Sequence, residues 1–452
     1  MCRHRRRARS IEGLRGGVGV NNPLAAKVIL VIATVLAVVA PSRAHAEVGL
    51  SLPAVVDDAR RGARFGNFIF IPSVGLEGRY NSNVFRQDSR EGRSEAAVLT
   101  LRPGFKLLNP TPSWLKLTWD ASVDVNFWFS KDPNADKQGR VAAETSLRAD
   151  FLVKSVVGFF IADRFIRSVQ PQNYSTSRRY DWNFNHAEIG LQVRPTGALQ
   201  FDLSYAFNFN LFDSFKDGDR FYHQARLLGT WAFFPKTSLF LDVDWRYQDW
   251  SRDKVDYRVD SMPLRAVLGV RGYLTKKVAL DVRAGYGQGF VKQGTDVQTF
   301  IGGASFAFKP TPFTLLDLGY DRNFEDAAFY GRWYIADSAH LSIKQQFARR
   351  LELSGAFTYS YLSFGRVVPK ASDVSGLSAL SASQADRRDH SLGARIGLSY
   401  SAVRYLTLRV GNEFEAIVTD FRLVGTDAAG KTSTDFGGYK LHQVFGEITV
   451  LY

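Results

Sequence analysis

Cysteine is almost absent. Cys2 is the only one in 452 residues, and it lies in a stretch expected to be removed. The rest of the chain therefore has no disulfide, no thiol chemistry and no lipoprotein anchor. Long apolar runs are missing too. After Glu47 no stretch of about 18 apolar residues occurs, which excludes a helical membrane span. Catalytic and metal-binding patterns are equally scarce. His4 and His45 fall in the removable segment, and His186, His223, His340, His390 and His442 sit in separate segments, without H-x-x-x-H or H-E-x-x-H spacing. No G-x-S-x-G elbow is present. Gly285-Tyr286-Gly287-Gln288-Gly289 imitates a phosphate loop, but no helix follows it, and glycines within strands mark bends or close approach. The expectation is a protein with no catalytic residues, no metal and no cofactor, an Asp/His or Ser/His site assembled across strands being the residual enzyme reading.

The basic charge is unevenly spread. Of the formal net charge of +14, half comes from residues 1–46, where eight basic residues face the single acid Glu12. A nucleic-acid partner is not expected on that distribution. The same segment has a basic start, the apolar run Val28–Ala40, and Ala44-His45-Ala46 as an A-x-A cleavage site before Glu47, the pattern of a secretory signal peptide. The competing reading is an uncleaved anchor. The expected domains are a signal peptide over 1–46, a periplasmic N-terminal segment over 47–67 and one large body over 68–452.

Aromatic residues are abundant, 13% of the chain with 35 Phe. They recur in long alternating segments, of which Trp114–Phe129 is the clearest. Leu115, Leu117, Trp119, Ala121, Val123, Val125, Phe127 and Phe129 occupy one parity, and Lys116, Thr118, Asp120, Ser122, Asp124 and Asn126 the other. A strand sends alternate side chains to opposite faces. This one exceeds the usual length of about six residues and fits a strand tilted through a bilayer, which needs about 9–11 residues in the hydrocarbon. Lipid on one face and water on the other makes it a strand of a transmembrane β-barrel. A soluble sandwich or propeller also alternates, but does not combine such long strands with up-and-down order and an export signal.

Turns count the strands. Eight are short: Asn109–Ser113, Lys154–Val157, Arg194–Ala198, Phe234–Ser238, Leu274–Val278, Lys309–Phe313, Phe347–Leu351 and Ser401–Tyr405. Nine are longer and more charged: Gln87–Arg93, Lys131–Gln138, Gln170–Arg179, Asp213–Arg220, Asp249–Asp256, Lys292–Asp296, Glu325–Phe329, Arg366–Arg388 and Asp420–Phe436. Short turns alternating with long loops mark an outer-membrane barrel, with turns periplasmic and loops outside. The fold expected is all-β, a transmembrane antiparallel up-and-down barrel of about 18 strands with both termini periplasmic. Alternation slips in Val156–Val169, Met262–Tyr273 and Tyr330–Phe347, where a different count would give sixteen or twenty. The location expected is the outer membrane of a Gram-negative cell, with outer-membrane lipid and the barrel-assembly machinery as partners; the aromatic ending at Tyr452 resembles an assembly signal.

A barrel of this size encloses an aqueous channel unless something fills it. The polar parity supplies the candidate pore-lining residues: Lys116, Asp120, Asp124, Arg148, Asp150, Asp202, Arg226, Asp242, Asp244, Arg246, Arg265, Arg271, Asp281, Arg283, Arg395, Arg409, Glu413 and Glu415. Both signs interleave, so no single-sign ring selects ions by charge. Asp281/Arg283 and Asp244/Arg246 are spaced to meet on one face. Trp128, Tyr222, Tyr334 and Trp182 are candidate stacking platforms for sugar rings.

One phrase is distinctive. Val74-Gly75-Leu76-Glu77-Gly78-Arg79-Tyr80-Asn81-Ser82-Asn83-Val84-Phe85-Arg86 resembles the opening strand of a β-barrel porin family of Gram-negative bacteria, similar to the barrel exporters of exopolysaccharide loci. The resemblance implies a translocation channel for a secreted polysaccharide, working beside a periplasmic polysaccharide-export protein. The alternative is a general or sugar-selective diffusion porin, which a constricting loop would favour; Arg366–Arg388 is the one loop of sufficient length. A non-transport barrel, adhesin or enzyme, is the third reading. Residues 47–66 are too few to form the plug of an energised transporter.

Overall fold

The computed structural model describes residues 62–452, except 89–92, 111–113, 137, 169–180, 214–217, 251–259, 292–295, 327–332, 349, 366–376, 383–385, 428–429, 431 and 436–437. In chain order the elements are β1 (Ala63–Phe65), β2 (Phe68–Asn81), β3 (Ala96–Leu108), β4 (Leu115–Phe129), the short helix α1 (Pro133–Asp136), β5 (Val141–Phe151), β6 (Val157–Ser168), β7 (Trp182–Thr196), β8 (Leu199–Phe212), β9 (Arg220–Phe234), β10 (Thr237–Trp250) and β11 (Ser261–Thr275). There follow β12 (Val278–Val291), β13 (Val297–Phe308), β14 (Thr314–Asp326), β15 (Trp333–Phe347), β16 (Leu351–Phe364), β17 (Leu377–Ala382), β18 (Arg388–Val403), β19 (Leu406–Thr419), β20 (Leu423–Asp427), β21 (Thr432–Asp435) and β22 (Tyr439–Leu451).

Eighteen of these strands form one closed wall. Each pairs antiparallel with its neighbour in sequence, through β16, β18, β19 and β22. The circuit shuts where β22 pairs with β2, in the register Ser73↔Leu451 to Asn81↔Gln443. Closure removes every free edge, which a spanning sheet requires because lipid cannot hydrogen-bond a bare strand. The small β1 folds back on β2 across Gly66, whose φ of +60° glycine adopts without strain. The expected N-terminal segment thus ends in a paired strand, and its earlier residues, with the signal-peptide region, lie outside the described residues.

The two-residue period explains the length of these strands. On β4, Phe127 and Phe129 are exposed at 48% and 59%, while Asp124 between the same neighbours is held by Arg102. Exposed apolar side chains band the whole outside, among them Leu76, Leu203, Leu268, Leu318, Ile396 and Val444. The eight short connections fall at the expected places, with ends within three residues of those expected, and the nine long connections share the opposite rim. Both ends of the wall lie at the short-turn rim: the Leu451 N–H donates to the Tyr405 carbonyl and the Tyr452 N–H to the Pro72 carbonyl. Of the segments where alternation slips, all three form strands, β6, β11 and β15. Pro263 stays in register with Gly289 on β12, while the β10–β11 ladder lapses beside it between Trp245↔Leu264 and Gln248↔Ser261, as a missing N–H requires.

Two departures bear on the interior. β17 pairs with β20, and β20 with β21, in a separate three-stranded sheet built from the last two long loops. The chosen constriction candidate, Arg366–Arg388, thus contains a strand committed to its neighbouring loop. The other departure is at β14. Its ladder with β13 runs from Phe308↔Leu316 only to Gly302↔Arg322, whereas Val297–Ile301 continue on β12 alone and residues 323–326 on β15 alone. From that point β14 leans inward.

Candidate functional site: the lumenal face

Contacts between strands that are not neighbours identify the lumenal face, because such side chains meet only across the concave side of the wall. Arg102 on β3 reaches Glu447 on β22 at 3.1 Å, Arg283 on β12 pairs with Asp321 on β14, and Arg265 on β11 reaches Asn323 on β14 at 3.2 Å. Each of these side chains shares its parity with the polar row of its strand. In register the sequence candidates stand beside one another, as in Lys116↔Asp150, Asp244↔Arg265 and Arg395↔Glu413.

They form two networks. The first straddles the closure of the wall. Arg102 grips Asp124 with two bonds of 2.6 and 2.8 Å. Glu447 takes Arg102 and Arg409, each at 3.1 Å. Glu413 receives Arg395, and Arg79 at 3.1 Å, while Arg79 also holds Glu77 at 2.7 Å. Glu415 takes Arg86 from the first long loop at 2.8 Å and the Tyr439 hydroxyl. Arg86 has a φ of +54°, a left-handed conformation uncommon for a residue with a side chain, and the ion pair to Glu415 helps to hold it.

The second network lines β5 to β14. Arg148 binds Asp150 at 2.7 Å, and Arg226 grips Asp242 at 2.8 and 2.7 Å. Asp244 lies 2.9 Å from Arg246 and 3.6 Å from Arg265. Asp281 lies 3.9 Å from Arg283. Both spaced pairs of the sequence reading meet. Asp202 is bound by the Gln200 amide at 2.9 Å, and Arg271 lies over the Phe240 ring at 4.5 Å. Lys116 stands opposite Asp150 in register, and Asp120 opposite Lys106. These ion pairs are largely covered, so the cost of desolvating both charges offsets much of their attraction. Their main effect is local neutrality: interleaved charges cancel at short range and leave a wetted, polar wall.

The inward lean of β14 builds a bridge inside the second network. Phe324 follows the lipid-facing parity of Leu318 and Tyr320, yet it is 2% exposed and packs on Val297 and Ile301, with Val267, Trp333 and Ile335 around it. Gly287 lies under its ring, where any Cβ would collide. Arg265 caps it, 4.4 Å from the ring centroid, and its Nη2 donates to the Phe324 carbonyl at 2.7 Å. Burying a phenyl group contributes about 1.5–3 kcal/mol, enough to draw the strand end off its neighbour.

Arg265 of this bridge also lines a cavity of about 390 Å3, whose walls run from β5 to β14 and include Arg148, Glu188, Tyr222 and Asp242. Of the four proposed aromatic platforms, Tyr222 lines this cavity. Tyr334 and Trp182 are 2% and 7% exposed, so their faces are covered. Trp128 packs against Val84, Ala96 and Ala135 and donates to the Gly139 carbonyl. Arg102, Glu447, Arg79, Glu188 and Asp321 were absent from the sequence candidates although each lies on the polar parity of its strand. Among the described residues no group of three His, Cys, Asp or Glu is placed to hold a metal.

No curated protein matches the sequence. Solved structures show a distant likeness: Pseudomonas aeruginosa OccK3 (OpdO) is 13% identical, covering 85% of this chain and 95% of its own, with a TM-score of 0.44. The FrpB iron transporter of Neisseria meningitidis is 8% identical, covering 84% and 81%, at 0.43. Pseudomonas aeruginosa OccK2 (OpdF), solved in complex with glucuronate, is 10% identical, covering 84% and 98%, at 0.44. The family model described as "Putative beta-barrel porin 2" matches residues 59–421, most of the chain. The chain belongs to that family and is an outer-membrane β-barrel porin.

Proposed function

We propose that this porin is a diffusion channel for small hydrophilic solutes. The observation that carries the reading is a cavity of about 390 Å3 lined by charged side chains, Arg265 of the Arg265–Phe324 bridge among them. That volume lies at the low end of the roughly 300–1,000 Å3 of small-molecule sites. It suits a solute of monosaccharide size. A polymer in transit needs an unbroken track with exposed stacking faces, and Tyr334 and Trp182 are buried instead. Export of an exopolysaccharide, and with it a periplasmic polysaccharide-export partner, finds no support in the family match or among the structural relatives.

In this reading the short-turn rim and both termini face the periplasm and the long loops face outward. Residues 1–46 are cleaved near Ala46, and the barrel-assembly machinery inserts the wall. The two networks keep the pore wetted without a single-sign barrier. Liposomes carrying the purified protein should swell in monosaccharides and disaccharides and progressively less in longer oligosaccharides. Swelling that is equal for all lengths, or absent for all, would refute a small-solute channel.

A further inference from the structure

Seven guanidinium groups line the lumenal cavity: Arg148, Arg164, Arg226, Arg246, Arg265, Arg283 and Arg322. Six have carboxylate partners, in Asp150, Asp242, Asp244 (shared by Arg246 and Arg265), Asp321 and Asp337. Arg164, on β6, differs. Among the described residues no ion pair or side-chain hydrogen bond holds it, and its Nε is buried without an acceptor. Its guanidinium lies 6.0 Å from the Phe184 ring. Glu144, on the adjacent β5, is close enough to act on it through its charge but does not form an ion pair with it. Tyr222 enters the same cavity from β9, its ring 6.0 Å from the Arg246 guanidinium, and its hydroxyl likewise has no protein acceptor among the described residues.

We propose that Arg164 and Tyr222 form an anion subsite in the lumen that takes the carboxylate of a small organic acid, with Phe184 against its carbon skeleton. The subsite rests on the small-solute reading and specifies one class of solute within it. A guanidinium offers parallel donors that match the two oxygens of a carboxylate, and a phenolic hydroxyl adds a third donor. The charge of the surroundings selects among anions. Glu188, Asp242, Asp244, Asp321 and Glu325 line the same cavity, and their field opposes a dianion more strongly than a monoanion. A monocarboxylate is therefore preferred over phosphate. Binding is weak and exchange fast, as transit demands, because the anion leaves water for a half-wet site.

The test uses the full-length mature chain in detergent micelles, titrated calorimetrically with sodium benzoate and, separately, with inorganic phosphate, and the same protein in planar bilayers for conductance in KCl. Wild type should bind benzoate saturably and phosphate less tightly. Arg164→Gln should weaken benzoate by about tenfold, equivalent to about 1.4 kcal/mol. Arg164→Lys, which keeps the charge and loses the fork, should fall between, and Tyr222→Phe should weaken it to a lesser degree. Heat-modifiable migration on gels reports folding; if Arg164→Gln fails to fold, the other two variants carry the comparison. Unsaturable benzoate binding in wild type, or equal binding in wild type and the folded variants, overturns the subsite even where KCl conductance is normal. Benzoate binding lost in the variants alongside a non-conducting wild type upholds the subsite and refutes the diffusion channel.

Discussion

The Asn83 side-chain amide donates to the Lys440 carbonyl at 3.0 Å, joining the residues that follow β2 to the start of β22. The same amide donates to the Gln87 carbonyl at 2.8 Å, its oxygen accepts from the Gln87 N–H at 3.0 Å, and the residue is fully buried. Ser82 adds a second tie, its hydroxyl accepting from the His442 N–H at 2.9 Å. The phrase that resembles the porin family is thus a latch across the closure of the wall.

Asn83→Ala should strip Gln87 and Lys440 of their partners at once. Leaving buried polar groups unpaired costs about 1–3 kcal/mol each, so the urea midpoint of the folded barrel in micelles should drop clearly. Arg79 contacts and conductance should change little. An unaltered midpoint would show that the latch is decorative.

Phe324→Ala should widen the lumen. The ring lies over Gly287 and beneath Arg265, so its removal frees both the strand end and the guanidinium. Single-channel conductance in KCl should rise. Gly287→Val, from the wall beneath the ring, should push it further into the lumen and lower the conductance. If Phe324→Ala conducts no more than wild type, the narrowest point lies elsewhere.

Arg387 and Asp389 test a different cost. They pair at 2.6 and 2.9 Å, 2% and 0% exposed by side chain, with the guanidinium 4.4 Å from the Phe364 ring centroid. Arg387→Met alone leaves a buried carboxylate uncompensated, which costs about 3–5 kcal/mol. The double variant Arg387→Met with Asp389→Leu should recover most of that loss in the same denaturation assay. A double variant as unstable as the single one would contradict a desolvation origin.

Asp132, in the loop after β4, has its carboxyl held below the usual range by the Ser94 hydroxyl and by the Asn134 N–H. A depressed folded pKa means the tie is present above the unfolded value, about 3.9, and is lost as pH falls through the folded value. Limited proteolysis of residues 130–140 should therefore be flat from pH 8 to pH 5 and accelerate only in more acid solution. Acceleration already near neutrality would point to another group.

The wall was legible because every strand must satisfy lipid on one side and water on the other, and a period of two records that requirement residue by residue. Turn chemistry then pointed to about eighteen strands, and the wall has that number even where β11 contains Pro263. The interior was only half legible. Parity places Asp244, Arg246 and Arg265 on one face, but the partner of Arg265 on β14 depends on where the β13 ladder stops, and no local pattern marks Gly302↔Arg322 as its last pair. Phe324 shows the limit plainly: by alternation it belongs with Leu318 and Tyr320, and packing reverses it. β17 escaped for a related reason, since Leu377–Ala382 finds its partner in Leu423–Asp427, beyond two intervening wall strands.

The pairing of β2 with β22 has a consequence for biogenesis. Residues near 73–81 must wait for residues near 443–451, more than 360 positions later, and contacts of such separation form slowly. Until they meet, the first strand keeps a bare edge that lipid cannot satisfy and that any other strand can capture. A chain truncated within the last hairpin would therefore be left with two unpaired wall edges.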